Sequence, residues 1–163
     1  MDTGSIGFKE PLTVLTLTQR YLARPPMARV DSFELREDLY YWPRNLTWAK
    51  IEAPNRVRIG LSDVGARAAG EIVFIRFRPI GTAVKQGQPT AVIESAKWVG
   101  PVESPVSGKI IEVNNELRKN PKLIMSDPYG VGWVAVIEPS NLEEDLKNLI
   151  KGSDPQAVEW YRE

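Results

Sequence analysis

The sequence predicts a mainly β domain, a sandwich or barrel of short strands with helices at one end. Short runs of alternating or β-branched residues recur between positions 48 and 138. Gly, Pro or Asn turn signals separate these runs about every ten residues, a spacing typical of sandwiches and barrels. Helix start and stop signals are concentrated in one central segment and in the tail.

Composition indicates a soluble globular domain with room for a small appendage. The 163 residues are 42% hydrophobic and 26% charged, which is ordinary for a folded domain. Lys and Arg together number 21, as do Asp and Glu, so the formal net charge is zero. The basic residues are scattered along the chain, so no nucleic-acid partner is expected. No apolar run is long enough to span a membrane, so no membrane partner is expected either.

Two residue types are absent from the sequence, Cys and His. Without Cys there is no disulfide framework, thiol nucleophile or thiolate metal site, and this composition fits a cytoplasmic location. Without His there is no triad base and no imidazole metal ligand. The two absences favour a carrier, a binder or a structural protein without catalytic residues of its own over an enzyme.

Residues 1–35 differ from the rest and are interpreted as an N-terminal extension. Residues 12–18 alternate like a strand, and residues 20–30 combine two prolines with three arginines. A transit peptide is poor in acidic residues, whereas Asp2 and Glu10 come early in this chain. A surface strand and loop is therefore favoured over a targeting signal.

In the first half of the domain, local signals predict one helix among strands. Ser62 is a typical N-cap, Asp63 suits the first helical turn, and Gly70 is a typical stop, which predicts a helix over 63–69. Pro and Asn at positions 54–55 mark the turn between the two preceding strands. The strands predicted in this half are 48–51, 57–60 and 71–77.

The second half is predicted to contain further strands and then a helical tail. A short helical turn is expected over 115–120. Ser140 and Glu143 form a capping box, which predicts a helix from there to Gly152, and a second helix is expected to begin at Asp154. The strands predicted in this half are 90–95, 99–103, 109–113 and 133–138, and the apolar face of the first tail helix is Leu142, Leu146, Leu149 and Ile150.

The stretch VIESAKWVGPVESPVSGKI, residues 92–110, places one lysine where two predicted strands meet. Lys97 would lie at the tip of a hairpin, where its amine is expected to be exposed. Gly87 lies ten residues before it and Gly108 eleven residues after it, and each is followed closely by an apolar β-run. The pattern suggests two similar strand units that meet at one exposed hairpin.

Around this lysine the sequence resembles the H protein of the glycine cleavage system. IESAKWV resembles that family's Glu-Ser-Val-Lys-Ala-Val motif, and SPVSGKIIEVN matches its Ser-Pro-Val-Ser-Gly segment. IGLSDVGARAAGEIVFI, GTAVKQGQ and NPKLIMSDPYGVGW match further family segments at the right spacings. The match covers roughly residues 39–150, which makes it far more specific than a lone motif. It does not extend to residues 1–35.

The resemblance implies a lipoyl/biotinyl-type flattened β-barrel over residues 36–163. This fold is a barrel-sandwich hybrid of antiparallel strands with short peripheral and C-terminal helices. The resemblance also implies that Lys97 is joined through an amide to lipoic acid, which removes the lysine charge. A relaxed disulfide has a dihedral of about 90°, which the five-membered ring of lipoate forbids, so the ring opens readily to nucleophiles. The attachment motif comprises Glu94, Ser95, Ala96 and Trp98 around Lys97.

A carrier of this kind implies partner enzymes, and two carrier readings stay open. A lipoate ligase or lipoyl transferase would attach the arm in both. In glycine catabolism, the arm receives an aminomethyl group from glycine decarboxylase, passes it to an aminomethyltransferase and is reoxidised by dihydrolipoyl dehydrogenase. In the second reading, an H-like lipoate-binding protein serves a heterodisulfide-reductase-like complex in sulfur oxidation. An unmodified structural or interaction barrel is an alternative of another class.

Four departures from the family pattern bear on the choice between the two pathways. Leu46-Thr47-Trp48 stands where the family usually has His-Glu-Trp, and Gly130-Val131-Gly132-Trp133 where it usually has Gly-Glu-Gly-Trp. Trp98 follows the lysine in place of a small residue, and Arg76-Phe77-Arg78-Pro79 replaces a strand end that is usually acidic. These changes favour the sulfur-oxidation reading, whereas the usual role of the family favours glycine cleavage.

Other candidate groups are assigned solvent or structural roles. Lys85 and Lys109 lie near turns without the attachment motif and are expected to be solvated. A biotinyl domain usually has Met on both sides of the lysine, where this chain has Ala96 and Trp98, so lipoate is preferred over biotin. Glu94 is either a recognition element for the modifying enzyme or a polar strand residue. Structural roles are expected for Trp42, Trp48, Asp127, Pro128, Tyr129, Gly130 and Trp133, and for the acidic turn Glu143, Glu144 and Asp145.

Overall fold

The computed structural model describes residues 27–30, 33–96 and 98–162. Twelve strands and five short helices are present within them, which confirms the prediction of a mainly β protein with short helices. The strands are β1 (Met27–Val30), β2 (Phe33–Arg36), β3 (Tyr40–Trp42), β4 (Thr47–Ala53), β5 (Arg56–Leu61), β6 (Ile72–Phe77), β7 (Ala83–Val84), β8 (Pro89–Ser95), β9 (Val99–Glu103), β10 (Gly108–Val113), β11 (Ala135–Pro139) and β12 (Ile150–Lys151). The helices are α1 (Asp63–Ala69), α2 (Glu116–Lys119), α3 (Leu123–Ser126), α4 (Leu142–Leu146) and α5 (Pro155–Arg162).

The strands pair in antiparallel fashion and build three sheets. The largest has seven strands in the order β12-β3-β4-β5-β11-β10-β7, and the second has three strands in the order β6-β8-β9. Strands β1 and β2 form a separate hairpin. The predicted attachment segment belongs to the three-stranded sheet, whose central strand is β8.

The main core lies between the seven-stranded and the three-stranded sheets. Ile59 and Ile137 come from the larger sheet, and Ile72, Ile93 and Val102 come from the smaller one; all five are fully buried in one cluster. Burying an aliphatic side chain of this size contributes about 1.5–3 kcal/mol relative to leaving it exposed. Because side chains alternate along a strand, the inner face of the three-stranded sheet is held by this core and its outer face points away from it.

A second cluster closes one end of the molecule around Trp48. The indole lies against Gly60, where a Cβ would come within 2.6 Å of its Cζ2 atom, and its Nε1 donates to the carbonyl of Pro128 at 3.0 Å. Trp42 is also buried, with its Nε1 donating to Oε1 of Glu103 at 2.8 Å. Both tryptophans are therefore core residues, as predicted. The buried members of the cluster are Leu35, Leu39, Tyr41, Trp48 and Ala157.

Predicted elements that rest on local signals agree with the structure. The helix predicted over 63–69 is α1, with the Ser62 hydroxyl accepting the N–H of Gly65 at 3.1 Å and Gly70 ending it at a φ of 83°. The Asp154 carboxylate accepts a backbone N–H of the first turn of α5 at 2.9 Å, as an N-cap does. The predicted strands within 48–138 are all present, with ends displaced by at most two residues.

The helix predicted from Ser140 to Gly152 is wrong. Strand pairing continues past the end of β11, because the N–H of Ser140 donates to the carbonyl of Ser107 at 3.0 Å, so Ser140 is not at a helix start. Helix α4 begins after Asn141, makes no side-chain cap bond and covers only five residues. The chain then forms β12, which pairs with β3 through Ile150.

The residues predicted for that helix therefore serve different parts of the fold. Leu142 and Leu149 pack against the main core, whereas Ile150 packs against the second cluster, so they do not share one helix face. The acidic turn Glu143, Glu144 and Asp145 is present at the start of α4. Asp145 is buried, and its Oδ2 accepts the N–H of Ser107 at 2.6 Å, which gives this carboxylate a structural role.

Besides β12, sequence patterns did not predict the elements β1, β2, β3, β7 and α3. The strand predicted over 12–18 lies outside the described residues, and the extension at 1–35 stays a prediction. Leu35 of β2 is fully buried in the second cluster, which also contains Tyr41 of β3 and Ala157 of α5.

Glu52 makes the stability of the larger sheet depend on pH. Partial burial opposes ionisation, but hydrogen bonds from Arg58 at 2.7 Å and Arg56 at 2.9 Å, together with their charges, outweigh it and lower the pKa of Glu52. A lowered folded-state pKa stabilises the protein above the unfolded-state pKa, and this contribution is lost as the pH falls through the folded-state pKa. We expect Glu52→Gln to reduce the free energy of unfolding by less than about 1 kcal/mol at about pH 7 and to have a smaller effect at about pH 3. Urea titrations at both pH values measure this, and an equal effect at both would contradict it.

Candidate functional site

Strands β8 and β9 form a hairpin whose tip carries the predicted attachment segment. The last ladder pair joins Glu94 to Val99. The N–H of Ser95 donates to the carbonyl of Trp98 at 2.8 Å, which closes the turn over residues 96–98. The tip is therefore only three residues long, and β8 and β9 hold it from both sides.

Side chains next to the attachment position are open to solvent. Ala96 is exposed, and the Trp98 side chain is 40% exposed. Lys97 itself lies outside the described residues, so its role as the attachment site stays a prediction. The described neighbours agree with the expectation that a modifying enzyme can reach this tip.

The base of the hairpin is anchored by backbone and hydroxyl groups. The N–H of Gly87 donates to the carbonyl of Ser104 at 2.8 Å, and the N–H of Ser104 donates to the carbonyl of Gln88 at 2.8 Å. The Thr90 hydroxyl donates to the carbonyl of Val102 at 2.8 Å. Gly87 has a φ of 91°, a conformation that glycine adopts without strain. A buried, hydrogen-bonded base thus supports an exposed tip.

The indole of Trp98 lies along the side of the hairpin. It contacts Gly100 so closely that a Cβ at that position would overlap the ring. The indole forms one wall of a groove of about 190 Å³, and the loop 43–46 and helix α1 form the others. Leu46 and Pro101 also line this groove. The replacement of a small residue by Trp98 therefore places a large aromatic surface beside the attachment position.

Leu46 lines this groove, and its backbone adopts a conformation that is rare for residues other than glycine. Its φ is 61°, in the left-handed region. Its N–H donates to the carbonyl of Trp42 at 3.0 Å, and its carbonyl accepts the N–H of Ser62 at 2.8 Å. Gly65 allows α1 to approach, because a Cβ there would lie 3.1 Å from the Leu46 carbonyl oxygen. These contacts hold the left-handed conformation in place.

The loop 43–46 belongs to the site, which no sequence pattern predicted. The Asn45 side-chain oxygen accepts the N–H of Glu103 at 2.8 Å and so holds the loop against β9. Thr47, the next residue, is fully buried, and its hydroxyl has no hydrogen-bond partner among the residues that the structure describes. The departure from the family pattern at Leu46-Thr47 was the one sequence signal in this loop. It did not indicate which residues lie near the loop in the folded protein.

Glu94 and Ser95 point to opposite faces of β8, as neighbouring strand residues do. Glu94 is half-buried and lies in a cross-strand row between Phe74 of β6 and Val99 of β9. The Ser95 hydroxyl lies 3.5 Å from the carbonyl of Trp98. The structure thus brings the described residues of the attachment motif together at one tip, and their roles in modification stay predictions.

The segment 127–133 has a structural role, as predicted for its turn. The N–H of Val131 donates to Oδ2 of Asp127 at 3.1 Å, and the Tyr129 hydroxyl accepts the N–H of Asp63 at 3.2 Å. Trp133 precedes β11 instead of starting it, and the Arg58 guanidinium carbon lies 4.4 Å from the centre of its ring.

Two kinds of feature are absent from the residues that the structure describes. No group of three or more acidic side chains in the described part of the chain is arranged to hold a metal ion. Among the described residues, no helix is long and apolar enough to cross a membrane. Lys85 and Lys109 are exposed, as expected for solvated charges.

Two antiparallel sheets that enclose one core and present a short hairpin are the arrangement expected of a lipoyl-type domain. The chain belongs to the glycine cleavage H-protein family, because the sequence model of that family, described as "Glycine cleavage H-protein", matches residues 39–159, most of the chain. Proteins of this family are lipoate-binding carriers and not catalysts. The chain is thus a lipoyl carrier protein of the H-protein type.

Individual relatives support the assignment over most of their own length. The chain is 45% identical over 129 residues to "Probable glycine cleavage system H protein 2" of Sulfurisphaera tokodaii, covering 78% of this chain and 86% of that protein. It is 44% identical over 127 residues to "Glycine cleavage system H protein 2" of Aquifex aeolicus, covering 78% of each. A crystal structure of a glycine cleavage system H protein from Mycobacterium marinum matches with a TM-score of 0.60 and 32% identity, over 64% of this chain and 85% of that one. This structural match confirms the predicted flattened barrel of antiparallel strands.

Proposed function

We propose that this chain carries a lipoyl group in amide linkage to the Nζ atom of Lys97. The observation that supports this best is the shape of the hairpin tip, which is short, flanked by exposed side chains and set on a buried base. A projecting tip of this shape can enter the active site of another enzyme. The motif IESAKWV occupies this tip.

Each residue of the motif has a distinct role in this proposal. Lys97 supplies the amine that forms the amide bond, with loss of its positive charge. The small Ala96 leaves the approach to that amine open, and Ser95 closes the turn through its bond to the Trp98 carbonyl. Glu94 offers the modifying enzyme one negative charge close to the tip.

Lipoate, when attached, supplies a strained cyclic disulfide at the end of a long, flexible arm. The protein positions that arm, because the hairpin fixes the point from which it extends. Trp98 and the groove beside it place an apolar surface next to that point. Loading and unloading of the arm are left to partner enzymes, in agreement with the absence of His and Cys from the sequence.

The partners proposed for the arm are those of glycine catabolism in the cytoplasm. A lipoate ligase or lipoyl transferase attaches lipoate, and glycine decarboxylase then transfers an aminomethyl group to the arm. An aminomethyltransferase takes that group, and dihydrolipoyl dehydrogenase reoxidises the dithiol. Membership of the glycine cleavage H-protein family supports this order.

The second candidate is an H-like lipoate-binding protein for a heterodisulfide-reductase-like complex in sulfur oxidation. The observation that favours it is the altered surface around the tip, where Trp98 and the apolar Leu46 line one groove. Arg76 and Arg78 lie exposed along the same sheet, where the family usually has an acidic residue. A partner enzyme whose surface complements the usual family residues would meet a different shape and a different charge on this chain.

Mass spectrometry tests the attachment. After co-expression with a lipoate ligase, the intact protein should gain the mass of one lipoyl group, and peptide mapping should place it on Lys97. An intact protein without any adduct would support the unmodified barrel instead.

An exchange assay separates the two carrier readings. Lipoylated protein, glycine and purified glycine decarboxylase should together incorporate labelled bicarbonate into the carboxyl group of glycine if the arm serves glycine catabolism. Lipoylated protein that fails this assay but is reduced or oxidised by a heterodisulfide-reductase-like complex would support the second candidate.

A further inference from the structure

The surface of the three-stranded sheet that points away from the core, which we name the outer face, is apolar near the hairpin tip. The Phe74 side chain is 47% exposed and the Val99 side chain 61% exposed. Exposed apolar surface of this kind is typical of a site that binds another molecule. The outer face consists of Phe74, Arg76, Val92, Glu94, Val99 and Pro101.

The outer face ends at the attachment tip. Phe74, Glu94 and Val99 form one cross-strand row, and the pair of Glu94 and Val99 is the last before the turn over 96–98. Neighbours in such a row have Cβ atoms about 5 Å apart, so the two apolar side chains flank Glu94 closely. A protein that receives the tip therefore meets this row as well.

Arg76 makes the outer face basic, and Arg78 and Arg118 lie beside the same edge strand, β6. The Arg76 guanidinium carbon lies 5.8 Å from the centre of the Phe74 ring, and that of Arg118 lies 5.2 Å from the centre of the Phe77 ring. In the part of the chain that the structure describes, neither of these groups nor Arg78 forms an ion pair with a carboxylate. Arginine and aromatic residues are both enriched in protein interfaces, and positive charge without an ion-pair partner complements an acidic partner.

The length of the lysine side chain indicates which partner contacts this surface most closely. Before acylation, the reacting amine is separated from the backbone by only four methylene groups. The acylating enzyme must therefore bring its active site up to the tip and touch the strands beside it. Enzymes that act on the finished arm meet its distant end, so they can remain farther from the sheet.

We infer that the outer face is the docking surface for the enzyme that acylates Lys97. That enzyme is expected to place an apolar contact against Phe74 and Val99 and a carboxylate against Arg76. The inference rests on the proposed function, because it requires acylation of Lys97. It adds a recognition surface on β6 and β9 that lies outside the attachment motif.

Lipoylation kinetics of exposed-residue variants test this inference. The unmodified protein is incubated with a purified lipoate–protein ligase, lipoic acid and MgATP, and adduct formation is followed by intact mass. We expect Phe74→Ser and Arg76→Glu each to lower kcat/KM for the protein substrate about tenfold, mainly through KM, since interface anchors act on binding. Added salt should slow the wild type and leave Arg76→Glu less affected.

Matched controls come from the opposite side of the molecule. Val131→Ser and Lys50→Glu make comparable changes, apolar to polar and basic to acidic, at exposed positions outside the three-stranded sheet, and both should be acylated like the wild type. Thermal unfolding by circular dichroism verifies that all four variants are folded. Outer-face variants that are acylated as fast as these controls would overturn the inference while leaving the proposed function intact. A wild-type protein that gains no adduct would instead remove the proposed function itself.

Discussion

Lys97→Arg is expected to abolish the lipoyl adduct completely and to leave the fold unchanged. A guanidinium group stays protonated at physiological pH, so it offers no free amine to an acyl donor, whereas a lysine ammonium can lose its proton. The substitution keeps the positive charge and nearly the same length, and its described neighbours are exposed, so the tip has no reason to rearrange. Intact mass after co-expression with a lipoate ligase measures the adduct, and circular dichroism measures the fold.

Two other exposed lysines provide matched controls for this result. Lys85 follows β7, and Lys109 lies within β10, where it pairs with residues of β7 and β11. Neither lies in a three-residue hairpin tip, so Lys85→Arg and Lys109→Arg should retain the full adduct. Loss of the adduct in either control, or an adduct that persists in Lys97→Arg, would show that the hairpin tip is not what directs modification.

Parts of the fold that depend on neighbouring residues could be predicted from the sequence. The N-cap of α1 acts on a backbone N–H three residues away, and Gly70 ends that helix by its own conformation. The same holds for the hairpin, because the ladder of β8 and β9 is formed by two adjacent runs of β-forming residues. The attachment motif carried additional information, since several motifs at fixed spacings specified the family.

The tail could not be predicted because distant contacts override its local signals. The capping box of Ser140 and Glu143 is a genuine helix signal, but the N–H of Ser140 is taken by Ser107 in the sheet. Ile150 then pairs with Tyr41, more than a hundred residues away in sequence, and this pairing forms a strand in place of a helix. Tertiary hydrogen bonds of this kind cannot be predicted from the residues that are adjacent in sequence.

Sequence patterns also could not predict which residues surround the attachment tip. Leu46 was recognised as a departure from the family, but only the structure shows that it shares a groove with Trp98. Phe74 was assigned to a strand, and its alternation did not reveal that it lies in one cross-strand row with Glu94 and Val99 at the end of the hairpin. Register between strands decides such neighbourhoods, and it is set by the whole sheet.

Gly108 is a position where a single added methyl group is expected to destabilise the protein strongly. It begins β10 with a φ of 158°, directly beside the end of β11. A Cβ at this position would overlap the carbonyl oxygen of Glu138 and lie 2.8 Å from both its carbonyl carbon and Cγ2 of Ile137. Backbone atoms in a paired strand cannot move aside without breaking the ladder, so we expect Gly108→Ala to cost about 3 kcal/mol or more. Urea denaturation measures this loss in the free energy of unfolding.

Gly81→Ala separates the overlap at Gly108 from the general cost of replacing glycine. Gly81 has a φ of 97°, and a Cβ there would meet no atom within 4 Å. Its substitution should therefore cost only the backbone strain, about 1 kcal/mol. If the two variants unfold at the same urea concentration, the close approach of Glu138 to Gly108 does not exist in solution. If Gly108→Ala is much less stable than Gly81→Ala, its lipoylation should fall in proportion to its folded fraction. The reason is that the proposed docking surface of the ligase exists only in the folded protein.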